Sequence, residues 1–483
     1  MTQAATLAQW LDYIQRLHPS EIDMGLDRVR QVAQRLGVTR PAPTVITVTG
    51  TNGKGSHVAA LEALSLALKL RVGTYTSPHI LNYNERVRLN GQDITDQPLI
   101  DAFERIEQMR GDISLSYFEF GTLAALMIFQ QSPLDVVVLE VGLGGRLDAV
   151  NIIDADVAII SSIGLDHQEY LGNSRESVAR EKAGIMRAGK PVVCVDANPP
   201  ANLLEIAESL ASPLYLIGRE FNAIDDGPVW RCELTVASTH SGVAGTAADS
   251  LTSAGGESRV SGPRWQLNNL PMPRLQTRNV AGALQAAVLS GLITDQEQLN
   301  SVLLSMLPTL QLAGRLQYLT IAFDQTADPA QNKSRTVLLD VSHNPQAALS
   351  LAAELASWRK RDGQAGQGSE TPAVGHSPSI RVILAMMQDK DHIGYVSPLE
   401  KHVDFWYIAH VDMPRCIGAE QLAGRLREAG IGETADTASI RAFTDVGSAL
   451  DSACREASPH DLLVVCGSFF TVSDALHWLS PKT

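Results

Sequence analysis

The chain has 483 residues, several times the usual single-domain size of about 100–200, so two domains are expected. Hydrophobic residues make up 45% and charged residues 19%, which excludes a disordered chain. With 39 Lys and Arg against 53 Asp and Glu the net charge is −14, which argues against nucleic-acid binding over a broad basic face but leaves room for a local phosphate pocket. At the N-terminus, residues 1–25 carry acids and an amphipathic pattern rather than a basic start and an apolar core, so no secretory leader is expected. Apolar spacing predicts short helices over 6–17 and 26–37. A β-branched strand over 44–49 then runs into a glycine-rich turn and a helix to about residue 69. Further strands are predicted at 71–76, 134–141, 155–161 and 191–195, separated by helical segments. The run at 134–141 is continuously apolar, as expected of a strand covered on both faces of a parallel sheet. A Ser-, Gly-, Ala- and Thr-rich tract at about 236–263 reads as loop or insertion, and 277–291 as a helix. From about residue 307 a second α/β alternation begins. Its strands are expected at 335–340, 381–386, 403–409 and 461–466, and its helices at 345–358, 421–429 and the C-terminus. Residues 361–379 read as a loop. The fold class is therefore α/β, an N-terminal parallel-sheet domain (1–308) followed by a C-terminal Rossmann-like α/β domain (309–483).

Five scattered cysteines, none in a C-x-x-C pair, exclude a disulfide scaffold or a Cys-rich zinc site and fit a reducing cytoplasm. No apolar run reaches the length of about 18 residues needed to span a bilayer, so no membrane partner is expected.

The strongest motif is VTGTNGKGS at 48–56. A strand that ends in a glycine-rich turn and opens a helix gathers backbone N–H groups at the positive end of the helix dipole, and Lys54 adds a mobile cation. This is a phosphate cradle, although its spacing departs from the general G-x-x-x-x-G-K-[ST] pattern. The second motif, LEVGLGGRLD at 139–148, puts Glu140 near the C-terminal end of an apolar strand. In open α/β sheets ligands bind at that edge, and a hard carboxylate beside a triphosphate suits Mg²⁺. The glycines that follow could let Arg146 and Asp148 face the site. The third, SSIGLDHQEYLG at 161–172, brings Asp166 and His167 to the same edge. A metal role for His167 is no better than even from the residues alone, and Lys182 in REKAGI reads as a solvated helix face. In the second half, RNVAGAL (278–284), LAGRLQ (312–317) and LLDVSHNP (338–345) stand out. Each alone could be a cap or a turn. Together with the cradle they suggest a second wall of a nucleotide site, with Arg315 neutralising phosphate charge.

These motifs, with Ile22–Leu26, YTSPH (75–79), NERVR (84–88), YFEFGTL (117–123) and VCGSF (465–469), make the chain resemble the bifunctional dihydrofolate synthase/folylpolyglutamate synthase family, a branch of the Mur-type ATP-dependent amide ligases. The resemblance covers most of the chain and is looser at 223–263, 322–335 and 360–380. It implies a P-loop, Mur-ligase-like N-terminal domain. It implies ATP contacts from Gly53, Lys54, Gly55, Ser56, Asn279, Arg315 and Asp340. Ser77, Glu140 and His167 would ligate magnesium. Lys182 would be carbamylated and serve a second Mg²⁺, so Lys54, Glu140, His167 and Lys182 form the catalytic set. Asp23, Ser116, Tyr117, Phe118, Glu119 and Leu147 would contact the pterin. Ser56 and Val150 stand where Thr is frequent in the family. The activity implied is ATP-dependent addition of L-glutamate to dihydropteroate and to reduced folates through an acyl phosphate, by a cytoplasmic monomer with no nucleic-acid partner. A P-loop kinase or switch NTPase, an oxidoreductase on the C-terminal unit, a non-catalytic binding protein and a cell-wall Mur ligase are the competing readings. The oxidoreductase is disfavoured because no G-x-G-x-x-G follows the first strand of that unit.

Overall fold

The computed structural model describes residues 6–18, 23–236, 251–253, 258–260, 262–323, 333–365, 378–434, 437–438 and 440–480. Ile22, most of the tract expected as loop at 236–263, and residues 366–377 of the loop expected at 361–379 lie outside the described residues. The chain forms two compact units, Met1–Gln311 and Leu312–Thr483.

In the N-terminal unit, helices α1 (Leu7–Leu17) and α2 (Asp27–Leu36) precede the main sheet. There follow β1 (Thr44–Thr49), α3 (Lys54–Ala67), β2 (Val72–Tyr75), β3 (Val87–Leu89), β4 (Gln92–Asp93), α4 (Asp96–Arg110), α5 (Tyr117–Gln131) and β5 (Val136–Glu140). Then come β6 (Val157–Ile160), the short α6 (Gln168–Leu171), α7 (Arg175–Ala183), β7 (Val192–Cys194), α8 (Ala201–Ser209) and β8 (Leu214–Leu216). The strands make one eight-stranded sheet in the order β4-β3-β2-β5-β1-β6-β7-β8, parallel from β2 to β8. β1 is central, with Val48 beside Glu140 of β5 on one side and Ile159 of β6 on the other. All five residues of β5 are buried, which accounts for its unbroken apolar run.

Helix α1 shows why the N-terminal periodicity was readable. Leu7, Trp10 and Ile14 fall on one face and are buried. Their core continues through Phe103 of α4 and Phe120 of α5, whose rings meet edge-on at 5.6 Å. The unit ends with a three-stranded antiparallel sheet of β9 (Asn222–Asp225), β10 (Val229–Thr235) and β13 (Arg264–Pro271), plus a ribbon of β11 (Leu251–Ser253) and β12 (Ser258–Val260). Helices α9 (Thr277–Leu289) and α10 (Gln296–Met306) follow.

The C-terminal unit contains β14 (Gln317–Phe323), β15 (Lys333–Leu339), α11 (Pro345–Ala365), β16 (Ile380–Leu384), α12 (His392–Glu400), β17 (Phe405–Ile408) and α13 (Ala419–Glu428). A small hairpin of β18 (Glu433–Thr434) and β19 (Thr437–Ala438) precedes β20 (Ile440–Ala442), α14 (Val446–Glu456), β21 (Leu462–Cys466) and α15 (Phe469–Leu479). The sheet order is β14-β15-β21-β16-β17-β20, and only β14 runs antiparallel to its neighbour.

The parallel α/β class is as the residues indicated. Two details differ. Helix α11 runs seven residues past the expected end at 358, so 361–365 are helical rather than loop. The sheet of β9, β10 and β13 was not anticipated, although Trp230, Cys232 and Leu234 alternate as buried residues along β10.

Phe103 is fully buried between Trp10, Tyr83 and Phe120. Phe103→Ala is expected to lower the opening free energy of α4 and α5 by about 3–5 kcal/mol. Native-state hydrogen exchange checks this, and a loss below about 1 kcal/mol would contradict the packing described.

Candidate active site

Three loops emerge from the C-terminal ends of β1, β5 and β6. The first is residues 50–53. Gly50 has φ +155°, and a Cβ there would lie 1.7 Å from Ser161 Oγ, so only glycine lets β1 turn against the loop after β6. Thr51 N–H donates to the Ser162 carbonyl at 2.8 Å, and Asn52 N–H to Ser162 Oγ at 2.9 Å. Gly53, left-handed at φ +87°, caps α3. A Cβ on it would sit 2.9 Å from the Asn279 amide, which brings α9 against the turn. Lys54 Nζ curls back to donate to the Gly50 carbonyl at 2.9 Å. Gly55 and the buried Ser56 lie in the first turn of α3. The next residue, His57, is buried. Its Nδ1 lies 2.8 Å from the Gly53 carbonyl, and burial drives its pKa down to about 4. His57 Nε2 has no hydrogen-bond partner among the described residues.

The second loop follows β5. Glu140 is buried, and its Oε2 accepts from Ser77 N–H at 3.3 Å, which joins two of the expected metal ligands. Thr49 Oγ1 donates to the Gly144 carbonyl at 2.6 Å. Arg146 N–H donates to the Glu181 carbonyl at 2.8 Å, and a Cβ on Gly145 would come within 2.9 Å of that same oxygen. The glycines thus let the loop lie on α7, one residue from Lys182. Arg146 does not stand open to the site, because its guanidinium pairs with Glu181 at 2.8 Å. Asp148 is buried and accepts from Leu143 N–H at 2.9 Å and Val150 N–H at 3.0 Å. Burial pushes its carboxyl up to about 7, against the pull of those N–H groups and of Lys54.

The third loop carries Asp166 and His167. His167 is left-handed at φ +48°, and its N–H donates to Asp166 Oδ1 at 2.9 Å. Lys182 is only 2% exposed, so it is not on the solvated helix face that its neighbours suggest. Burial first, then repulsion by Lys54, lowers its pKa to about 7, with Asp166 opposing. Lys54, Asp166 and Lys182 therefore share one electrostatic environment. Among the described residues no three His, Cys, Asp or Glu side chains gather as a metal cage. In the expected ligand set only Glu140 and His167 are of those types.

Of the expected pterin residues, Ser116, Tyr117, Phe118 and Glu119 lie at the start of α5 and Asp23 on the approach to α2, while Leu147 is in the loop after β5. Ser116 and Glu119 close a reciprocal capping box, with Ser116 N–H donating to Glu119 Oε2 at 2.7 Å. Arg28 bridges Glu119 Oε1 at 3.2 Å to Asp23 Oδ2 at 2.6 Å. Phe118 lies 6.0 Å from the Tyr75 ring and close over Gly142, while Tyr117 meets Tyr83 edge-on at 5.6 Å. Leu147 is half-buried beside Asp148. Arg28, Tyr75 and His57 were not singled out from the sequence. Only Arg28 had a readable signal, a charge two residues into an amphipathic helix.

Within the C-terminal unit, Asp340 follows β15 and is buried. It accepts from Leu316 N–H at 2.9 Å and Ser342 N–H at 3.0 Å. It thereby fixes the loop that carries Arg315, whose guanidinium lies 4.8 Å from the Phe469 ring centroid. His343 Nδ1 sits 3.0 Å from the Val341 carbonyl, and Asn344 Oδ1 accepts from Ala347 N–H at the start of α11.

A family model described as Mur ligase, glutamate ligase domain, matches residues 327–469. Over nearly its whole length the chain is similar to the dihydrofolate synthase/folylpolyglutamate synthase of Escherichia coli (strain K12), with 38% identity over 479 residues, 99% of this chain and 97% of the relative. Among solved structures, Escherichia coli FolC in complex with DHPP and ADP matches with a TM-score of 0.79 at 37% identity, covering 98% of this chain and 97% of that one. A bifunctional folylpolyglutamate synthase/dihydrofolate synthase with Mn, AMPPNP and L-glutamate bound matches at 0.77 and 38% identity, covering 98% of each chain. No helix among the described residues is long and apolar enough to cross a membrane.

Asp148 gives a pH signature. Its raised folded pKa means the native state holds a proton that the unfolded chain releases above about 3.8. The stability it contributes is full below that pH and is lost as pH rises through about 7. Asp148→Asn is expected to remove this slope, so the difference in melting temperature between variant and ligand-free wild type should shift in the variant's favour from pH 4 to 7. A difference independent of pH would refute the buried carboxyl.

Proposed function

The chain belongs to the dihydrofolate synthase/folylpolyglutamate synthase family, and we propose that its chemistry runs through the residues gathered at the β1, β5 and β6 edge. It is an ATP-dependent ligase that adds L-glutamate to dihydropteroate, forming dihydrofolate, and to reduced folates, forming polyglutamates. The supporting observation is the glycine turn carrying Lys54, set beside a buried carboxylate on β5 and a buried lysine on α7 that senses both Lys54 and Asp166.

A carboxylate does not condense with an amine at neutral pH, because oxide is a very poor leaving group. In the first step the acceptor's carboxylate oxygen bonds to the γ-phosphorus of ATP, the bond to the β-phosphate oxygen breaks, and ADP leaves. The turn at Gly53, Lys54, Gly55 and Ser56 cradles the phosphates, and Lys54 neutralises charge spreading over the transferred oxygens. Asn279, Arg315 and Asp340 are assigned further nucleotide contacts. In the second step the glutamate amine attacks the acyl carbon, phosphate departs, and the amine's proton is lost. Asp23, Ser116, Tyr117, Phe118, Glu119 and Leu147 hold the pterin.

The donor set fits a divalent cation. Glu140 is a buried carboxylate at the ligand edge of the sheet, adjoining Ser77. Ser77, Glu140 and His167 would hold one Mg²⁺, and Lys182 a second once carbamylated. Bound there, the ions supply neutralising charge to phosphate oxygens. An amine whose pKa falls to about 7 is about half free base at neutral pH, the form that attacks CO2. The carbamate formed, with loss of one proton, is an anion, so its relation to Lys54 turns from repulsive to attractive. Residues 1–308 are assigned the ATP and pterin sites and 309–483 the C-terminal ligase domain. We also propose that the enzyme is a monomer and cytoplasmic. Its five cysteines are all free and buried, which supports a reducing compartment.

Radiolabelled L-glutamate, assayed with dihydropteroate and with tetrahydrofolate as separate acceptors, tests the activity. Lys54→Ala is expected to cut ligation by about 10²–10³ or more with the fold retained, and a wild-type rate would overturn the phosphate role. Intact mass of the native enzyme is expected to carry a CO2 adduct that Lys182→Ala lacks. That variant should regain activity with an added short carboxylate, and an unmodified native Lys182 would sink the carbamate assignment.

A further inference from the structure

Arg86 is the last residue of a short helical turn (Tyr83–Arg86) that leads directly into β3. It is 8% exposed, yet no carboxylate among the described residues pairs with it. Its Nε donates to His79 Nδ1 at 2.9 Å, so His79 serves as a neutral acceptor. Its guanidinium lies 5.2 Å from the Tyr83 ring centroid and 5.5 Å from that of Tyr117. Neighbouring Glu85 is engaged elsewhere, accepting from the N–H groups of Ile80, Leu81 and Asn82. The other arginines of this region show the contrast: Arg28 pairs with Asp23, Arg88 with Glu62, and Arg110 with Glu107. A buried charge without a counter-charge is strongly unfavourable. Ring faces and a neutral imidazole offset only part of that cost.

The location gives the charge a purpose. The Arg86 carbonyl accepts from Thr76 N–H at 2.9 Å, one residue before Ser77, and Ser77 adjoins Glu140. On its other side Arg86 stands against Tyr117 of the pterin wall. Tyr75 senses both Arg86 and Asp148, and Asp148 in turn senses Lys54. Arg86 therefore lies between the wall that holds the acceptor's aromatic body and the edge where phosphate is transferred. The group of the acceptor that must occupy that interval is its reacting carboxylate.

We propose that Arg86 is the resident counter-charge for the acceptor's carboxylate, a specificity-determining residue that selects the anionic acid and fixes it for attack on the γ-phosphorus. The assignment rests on the folate reading above. A planar guanidinium suits a carboxylate better than an ammonium does, because its N–H groups diverge to match the two oxygens.

The test is equilibrium binding to the full-length enzyme in the presence of ADP. The probes are dihydropteroate and the same molecule with a carboxamide in place of the carboxylate. Wild type is expected to bind the acid at least tenfold more tightly than the amide. Arg86→Gln should bring the two affinities together, and Arg86→Lys should restore part of the preference, with ADP affinity unchanged in both. Equal binding of acid and amide by wild type overturns the proposal even if a variant fails to fold. An acid preference that survives in Arg86→Gln overturns it as well. If wild type binds neither probe, the folate reading fails, and this assignment with it.

Discussion

The central position of β1 is the constraint on which the site depends. Because β1 is hydrogen-bonded in parallel to β5 and to β6, three loops must leave the sheet at the same edge, within two strand spacings of one another. The register does the rest. Val48 lies beside Glu140, so the phosphate turn begins two residues beyond the level of the carboxylate. Thr49 pairs with Ile160, so the loop carrying Asp166 and His167 starts at the height of Gly50. A shift of one residue in either pairing would turn the side chains of that strand to its opposite face.

Close approach is what the glycines supply. At Gly50 and Gly145 a single added carbon would collide with Ser161 and with the Glu181 carbonyl respectively. Those two contacts join the phosphate turn to the loop after β6, and the loop after β5 to α7. Thr49 Oγ1 donates to the Gly144 carbonyl and joins the end of β1 to the loop after β5. Side chains on a frame tied this way are held by backbone geometry rather than by their own partners, which lets several of them remain in unfavourable protonation environments.

Much of this frame was legible in the residues. The β-branched strand before the glycine turn, the apolar run ending at Glu140 and the strand before Asp166 each announced a parallel strand with a loop at its C-terminal end. Lys182 was not legible in the same way. Its neighbours Arg180 and Glu181 are the residues of a solvated helix face, and only the fold reveals that the helix turns this one lysine inward. Only the resemblance to a family pointed to a role for it, the one proposed above, where periodicity could not. Arg86 escaped for a related reason. A cation in a polar turn has no feature in sequence that separates an exposed charge from a buried one, because burial there is decided by residues far away in the chain. The sheet of β9, β10 and β13 was obscured by the Gly- and Ser-rich stretch beside it, which diluted the alternation of Trp230, Cys232 and Leu234.

The buried ionisable groups share one logic. Asp148 is held in an environment that favours its neutral form, Lys182 in one that favours its neutral form, and the buried Arg86 guanidinium stands without a carboxylate among the described residues. Each is a liability for the fold, and the three are linked electrostatically through Tyr75 and Lys54. At Arg86 an anionic group reverses the sign of that liability, because an anion brought to a desolvated cation gains more than it would in water. Ligand binding and local stability are then coupled by mass action. A site built this way favours the substrates whose charges complete it, and a neutral molecule of the same shape would leave the cost of the buried Arg86 charge unrelieved.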